Sequence, residues 1–292
     1  MAHFAAAQVG AELGTGPIMD ERDVVTHFSC TRCGKCCRDT KIPLSIAEAV
    51  KWLNRGHQVQ LICEASPWPE DANDEDPRAD HFKRRSFAVM SGSMPTRVVA
   101  MLVANITGAC PNLSADMLCG IYDDRPLVCR IYPAEVNPLL ALNPEKKLCP
   151  PEAWTTDKPP FQRNGNVISG ELVRDIETLR QADALDAKRK SRLCAALNVA
   201  DAGLVHESVL VYSPAPDALL AALTLATHGN DVESVPAQWR FVSERTETIE
   251  DLAANGGVAM RPRDAVGAAY QHFGMKREAL FRSYPGPRRE SL

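Results

Sequence analysis

This 292-residue chain lacks an excess of positive charge: 33 Lys and Arg stand against 37 Asp and Glu, a formal net charge of −4. It therefore has no electrostatic footprint for gripping nucleic-acid phosphates, and no nucleic-acid partner is expected. Long hydrophobic runs are missing too. The longest, Val98 to Ile106, is too short to span a bilayer, so no membrane partner is expected. Met1 to Asp20 shows no basic start followed by an apolar core and a small-residue cleavage site, which argues against a secretory signal. Also absent are internal repeats, a G-x-S-x-G element, a Walker-type loop, an H-E-x-x-H helix and any H-x-x-x-H pair. Gly10, Gly14 and Gly16 are spaced like a nucleotide loop, but no apolar strand precedes them. Cysteine is nearly absent from the back of the chain, where only Cys194 lies beyond Cys149.

Cysteine is concentrated toward the front, with nine of the ten at or before Cys149. A cytoplasmic location is expected, where thiols stay reduced and clustered cysteines are metal ligands or catalytic groups before they are disulfides. Cys30-Thr31-Arg32-Cys33-Gly34-Lys35-Cys36-Cys37 superposes two C-x-x-C pairs and a fourth cysteine. Such pairs close tight turns around a metal, and Gly34 suits a turn that needs positive φ. A second group follows as Cys110-Pro111, Cys119-Gly120, Cys129-Arg130 and Cys149-Pro150. Pro or Gly after three of these four holds irregular backbone of the kind that wraps a metal. Arg32, Lys35, Arg38, Arg125 and Arg130 are available to offset thiolate charge.

The run C-x-x-C-x-x-C-C, then C-P-x-L, then C-x-I-Y-x-x-R-P-x-x-C-R-x-Y-P and a final Cys-Pro, resembles the YkgJ-type cysteine-cluster family, a group of zinc- or iron-chelating domains. The resemblance runs from about Phe28 to Pro150 and implies Cys30, Cys33, Cys36, Cys37, Cys110, Cys119, Cys129 and Cys149 as metal ligands. It carries the family's Arg-Pro and Cys-Arg-x-Tyr-Pro elements onto Arg125, Pro126, Arg130, Tyr132 and Pro133. The cofactor is an iron–sulfur cluster, four-iron by the C-x-x-C-x-x-C spacing, or zinc. Eight thiols suffice for two four-coordinate metals, or for one cluster with four to spare. Successive side chains usually diverge, so Cys36 and Cys37 argue against one simple mononuclear site. Flagellin lysine methylases are similar in the cysteine cluster, which implies iron–sulfur-supported methyl transfer as an alternative, although no S-adenosylmethionine site is recognisable. A zinc-stapled scaffold for a protein partner, docked through the helical half, is the remaining reading. Catalytic residues are not assigned.

The expected fold is α+β. A flexible leader over 1–23 precedes an irregular, metal-stapled cysteine-cluster domain over 24–154, and a mainly helical domain covers 165–292. Ser45 and Glu48 have capping-box spacing and predict a helix from Ile46 to Leu53, ending near Gly56. Ser66 to Asp80 reads as an exposed loop, and Ser86–Met90 with Arg97–Ile106 as a β-hairpin. Glu171 to Leu197 reads as a helix burying Leu172, Ile176, Leu179, Leu185 and Leu193. Ser213-Pro214 reads as the start of a further helix that ends at Gly229, and more helices are expected over Arg240–Ala254, Pro262–Phe273 and Lys276–Ser283. Cys63 and Cys194 are expected as packing residues, Lys83-Arg84-Arg85 as solvated surface, and Tyr122 and Tyr132 as side chains packed against the site. His27, near Cys30, is the one histidine worth watching as a ligand.

Overall fold

A computed structural model describes residues 23–68, 76–228 and 238–272. The expected leader, except Asp23, lies outside the described residues, as do Gly229 and the helix expected over Lys276–Ser283. The chain runs β1 (Val25–His27), β2 (Lys41–Leu44), α1 (Ile46–Asn54), β3 (Gln60–Pro67), α2 (Pro77–Arg84), β4 (Phe87–Ser91), β5 (Met94–Asn105) and α3 (Leu127–Ile131). It continues as β6 (Pro160–Arg163), β7 (Asn166–Val167), α4 (Gly170–Ala196), β8 (Asp201–Leu204), β9 (Ser208–Tyr212) and α5 (Pro216–His228). The last elements are β10 (Arg240–Val242), α6 (Thr246–Ala254), β11 (Ala259–Met260) and β12 (Ala268–His272). The fold is α+β, as expected.

Among the described residues nine strands form one sheet with the path β11-β10-β8-β3-β5-β2, while β4 pairs with β5, and β9 pairs with both β3 and β12. The change of composition near Trp154 does not divide this sheet: β2 to β5 come from before it and β8 to β12 from after it. β8 runs parallel to β3 and β10, and β9 is antiparallel to β3 and β12. Gly203 permits the β8–β9 crossing, because a Cβ there would stand 2.5 Å from the Ser208 carbonyl oxygen. A smaller antiparallel sheet, β1-β6-β7, brackets the cysteine-bearing loops in sequence.

The sheet is buried on both faces. One face of β3 and β5, with Leu61, Cys63, Val98, Ala100 and Leu102, joins a core completed by Trp52, Leu193, Leu219, Leu223 and Phe241. The other, with Ile62, Val99, Met101 and Val103, packs with Phe82, Val209 and Val211. Double-sided burial explains why Val98 to Ala104 is apolar without alternation. Cys63 and Cys194 are both buried in the first core, as packing residues should be.

Local signals set several elements. Ser45 caps α1 as foreseen: the Glu48 amide donates to Ser45 Oγ at 3.3 Å, and the Ser45 amide to Glu48 Oε2 at 2.8 Å. The expected hairpin forms as β4–β5, with the turn tightened to Gly92 and Ser93. α4 follows the foreseen span, but Leu185 is 67% exposed, while Asp186, Ala187 and Lys190 take the buried face beside Ile176, Leu179 and Leu193. The helix assigned to Ser213-Pro214 starts instead at Pro216, whose ring also suits a first helical position.

Other expectations are corrected. Part of the loop read over Ser66 to Asp80 is regular. β3 extends to Pro67, and Asp76 caps α2 by accepting from the Arg78 amide, with Pro77 at the first turn. Arg240–Ala254 splits into β10 and α6. Of the helix expected over Pro262–Phe273, the described part to His272 is a short 3-10 turn followed by β12, because pairing with β9 outweighs the local helical tendency of an Ala-rich stretch. Arg85 is not solvated surface: its side chain is 11% exposed and pairs with Asp183 at 3.2 Å.

Candidate metal centre

The motif cysteines sit on loops and short turns outside the main sheet. Cys30 and Cys33 lie on irregular backbone after β1, and Lys35–Cys37 forms one 3-10 turn. Gly34 precedes that turn at φ 66°, the left-handed conformation foreseen for it. Cys110 follows β5, and Cys119 lies in the loop beyond it. Cys129 is carried by α3, and Cys149 stands just before Pro150. All eight are free thiols; Cys30 is exposed and the other seven are partly buried.

Backbone hydrogen bonds gather these loops. The Cys110 amide donates to the Cys37 carbonyl at 2.7 Å, and an isolated antiparallel bridge joins Arg38 to Ala109. A further bridge joins Leu113 to Cys119, and the Gly120 amide donates to the Asn112 carbonyl at 2.7 Å. At the other end of the constellation, the Ser29 amide donates to Ala153 O and the Ala153 amide to Pro150 O, each at 2.9 Å. Phe28 lies against Trp154 with ring centroids 4.7 Å apart. These contacts bring Cys30 toward Cys149.

α3 is anchored by Glu48, whose Oε1 accepts from the Leu127 amide at 2.6 Å while Oε2 serves the cap of α1. One carboxylate thus ties a cysteine-bearing helix to the sheet's flanking helix. Ile131 and Ala134 then bury against Ile176 and Leu179 of α4.

The Arg32 amide donates to Cys30 Sγ at 3.4 Å. Burial raises the Cys110 thiol, and a hydrogen bond from the Asn112 backbone amide opposes it. Asn112 Nδ2 and Trp154 Nε1 are buried side-chain donors with no hydrogen-bond partner among the described residues, and each flanks a cysteine loop. Cys36 and Cys37 stand with sulfurs 3.9 Å apart. The hydrogen bond from Cys36, followed in effect by the charges of Arg125 and Arg38, lowers the Cys37 thiol to about 6 against the opposing pull of burial. The same hydrogen bond raises Cys36, and burial and the charges of Cys37, Cys149 and Cys30 add to it. Burial pushes Cys129 up to about 12, helped by the charges of Cys37, Cys110 and Cys119. Burial also raises Cys149, with Cys30 and Cys33 acting in the same direction and a hydrogen bond to Tyr132 opposing.

As the side chains stand, no group of three or more His, Cys, Asp or Glu among the described residues is closed around a common point. The eight thiols lie on irregular backbone, short turns and α3. Thiolate-rich donors with amide support suit zinc and iron–sulfur centres.

The companion residues divide. Tyr132 hydrogen-bonds both the Leu148 amide, at 2.8 Å, and Cys149, so it does pack into the site. Tyr122 does not: it is 62% exposed, with the Arg125 guanidinium 3.8 Å above its ring. Arg130 is held by Asp175 of α4 at 3.0 Å, whereas Arg38 and Arg125 act on Cys37. His27 Nδ1 meets the Lys158 carbonyl oxygen at 2.6 Å. Spacing gave no hint of Asn112 or of the second carboxylate contact of Glu48, since both depend on loops meeting across the fold.

Residues 29–150 match the family model CxxCxxCC, described as "Putative zinc- or iron-chelating domain". The match begins and ends within a residue of the expected one and spans less than half of the chain. No curated protein and no solved structure matches. No helix among the described residues is long and apolar enough to cross a membrane.

Proposed function

We propose that this protein binds metal through Cys30, Cys33, Cys36, Cys37, Cys110, Cys119, Cys129 and Cys149, as an iron–sulfur centre ahead of zinc. The observation that carries the reading is the meeting of cysteine-bearing loops distant in sequence, joined by hydrogen bonds such as Cys110 N to Cys37 O at 2.7 Å and carrying eight free thiols. Thiols brought together without a metal would repel one another on ionising: after burial, the charges of Cys37, Cys110 and Cys119 raise Cys129, and those of Cys30 and Cys33 raise Cys149. A cation removes it. The C-x-x-C-x-x-C run favours iron–sulfur over zinc.

In this reading the chain's own groups manage charge and access. Four thiolates around one divalent zinc carry a formal charge of about −2. Arg38 and Arg125 offset part of it at Cys37, while the amides of Arg32 and Asn112 hold sulfurs in place. Anaerobic purification followed by an absorption spectrum and elemental analysis tests the proposal. Visible absorption with iron and sulfide is the expected result, and a colourless preparation with stoichiometric zinc would transfer the assignment to zinc. A fully folded, metal-free protein that takes up neither zinc nor iron with sulfide would overturn it.

A further inference from the structure

We propose that a cavity between α2, α4 and the sheet binds a small organic carboxylate with an apolar body, taking its head group on Lys190. No cysteine lines this cavity, so the inference stands apart from the metal reading.

Strand pairing makes the space. β3 accompanies β5 from Thr96 to Val103. On the other side of β5, β4 covers Met94 to Val98 and β2 covers Leu102 to Asn105. Val99 to Met101 therefore has no strand neighbour on that side among the described residues. A cavity of about 530 Å³ lies against this gap, walled by Pro43 and Leu44 of β2 and by Met101 and Leu102 of β5. Val128 of α3, Leu139 of the turn beyond it and Leu179 of α4 extend the apolar wall. Small-molecule sites have this make-up, roughly 300–1,000 Å³ of mainly apolar lining with a few polar groups to fix orientation.

The charges around the cavity are unequal. Arg84, Arg85, Arg180 and Lys190 line it, against Asp80 and Asp183. Arg84 engages Asp80 at 2.9 Å and Arg85 engages Asp183 at 3.2 Å. His81, held down to about 4 chiefly by burial, is uncharged at neutral pH. Arg180 turns its Nε to the Val136 carbonyl at 2.8 Å.

Lys190 is the buried cation of the group. Its side chain is 6% exposed, and Nζ stands 3.9 Å from Asp183 Oδ1, beyond hydrogen-bond length. An ammonium has three protons to donate, and burying one is costly unless it is both paired and hydrogen-bonded. A carboxylate held in the cavity supplies that acceptor, while its hydrocarbon part covers Leu44, Val128, Leu139 and Leu179. An inorganic anion lacks the apolar body and a neutral amphiphile lacks the charge, so each binds less well.

Isothermal titration calorimetry of the full chain, purified anaerobically, tests this with octanoate, octanol and inorganic phosphate as probes. A single saturable octanoate site per chain is expected, with octanol and phosphate each weaker by about tenfold or more, the worth of a hydrogen bond to a charged group. Lys190→Met should weaken octanoate by a similar factor and leave octanol unchanged. Leu139→Trp, which fills the cavity from an irregular turn, should abolish octanoate binding with an unchanged circular dichroism spectrum. Should Lys190→Met fail to fold, Leu139→Trp and the comparison of octanoate with octanol decide. No saturable octanoate binding, octanol binding as tightly as octanoate, or octanoate binding that survives Leu139→Trp would each overturn the proposal.

Discussion

Glu48 carries more of the architecture than one exposed-face carboxylate usually does. One oxygen closes the capping box of α1, and the other accepts the Leu127 amide at the start of α3. Glu48→Ala removes both acceptors and leaves a partly buried amide without a partner, at a cost of about 1–3 kcal/mol for the orphaned donor and about 1 kcal/mol for the cap. The urea midpoint should fall by a corresponding amount with unchanged slope. Glu48→Gln retains an acceptor for Leu127 and should lose less. Equal losses in the two variants would show that the link to α3 contributes nothing. The capping box was legible in four consecutive residues, because both partners are local. Its second duty was not, because Leu127 reaches Glu48 only after the cysteine loops have folded back.

At the scale of elements, α2 and α4 enclose a charged layer that composition concealed. Arg85 and Lys190 both approach Asp183, at 3.2 and 3.9 Å, and His81 stands 3.3 Å from the Arg85 guanidinium. Burial first, and then the charge of Arg85, lower His81 to about 4, although Asp183 and Asp80 pull the other way and Arg180 adds to the depression. The unfolded chain therefore binds the His81 proton more tightly than the fold does. Stability contributed by neutral His81 is present above about pH 6.5 and is lost progressively as pH falls toward about 4. His81→Gln should flatten that part of the stability–pH curve, measured by denaturant titration from pH 7 to 4. Parallel curves for the two proteins would rule His81 out as the source.

The elements that sequence patterning missed share a cause. β3 is buried on both faces, so Leu61 to Ala65 offers no alternation to read, and β12 is set by pairing with β9 rather than by its own residues. The hairpin β4–β5 was readable because its turn and its apolar runs are neighbours. Among the cysteines, spacing exposed the constellation itself.

For the molecule as a whole, the cysteine loops and the sheet have different sources of stability. β3 and β5 hold two apolar cores built from residues on both sides of Trp154, and α4, roughly 40 Å long at 1.5 Å per residue, spans the structure against α2, α3 and α5. The segment between β5 and β6 has, by contrast, only short turns and α3, with Ile131 and Ala134 as its buried apolar anchors on α4. Removing metal should therefore melt the loops rather than the whole front of the chain. Hydrogen exchange on the anaerobically chelated protein should show amides over 28–39 and 107–154 losing protection, while those of β3 and β5 keep it. Collapse of protection in β3 and β5 together with the loops would mean that the metal holds the sheet as well. Unchanged protection in the loops would mean that their backbone hydrogen bonds, Cys110 to Cys37 among them, suffice without it. The expected pattern makes the sheet a scaffold that survives metal loss, so that the centre can be emptied and refilled on a standing fold.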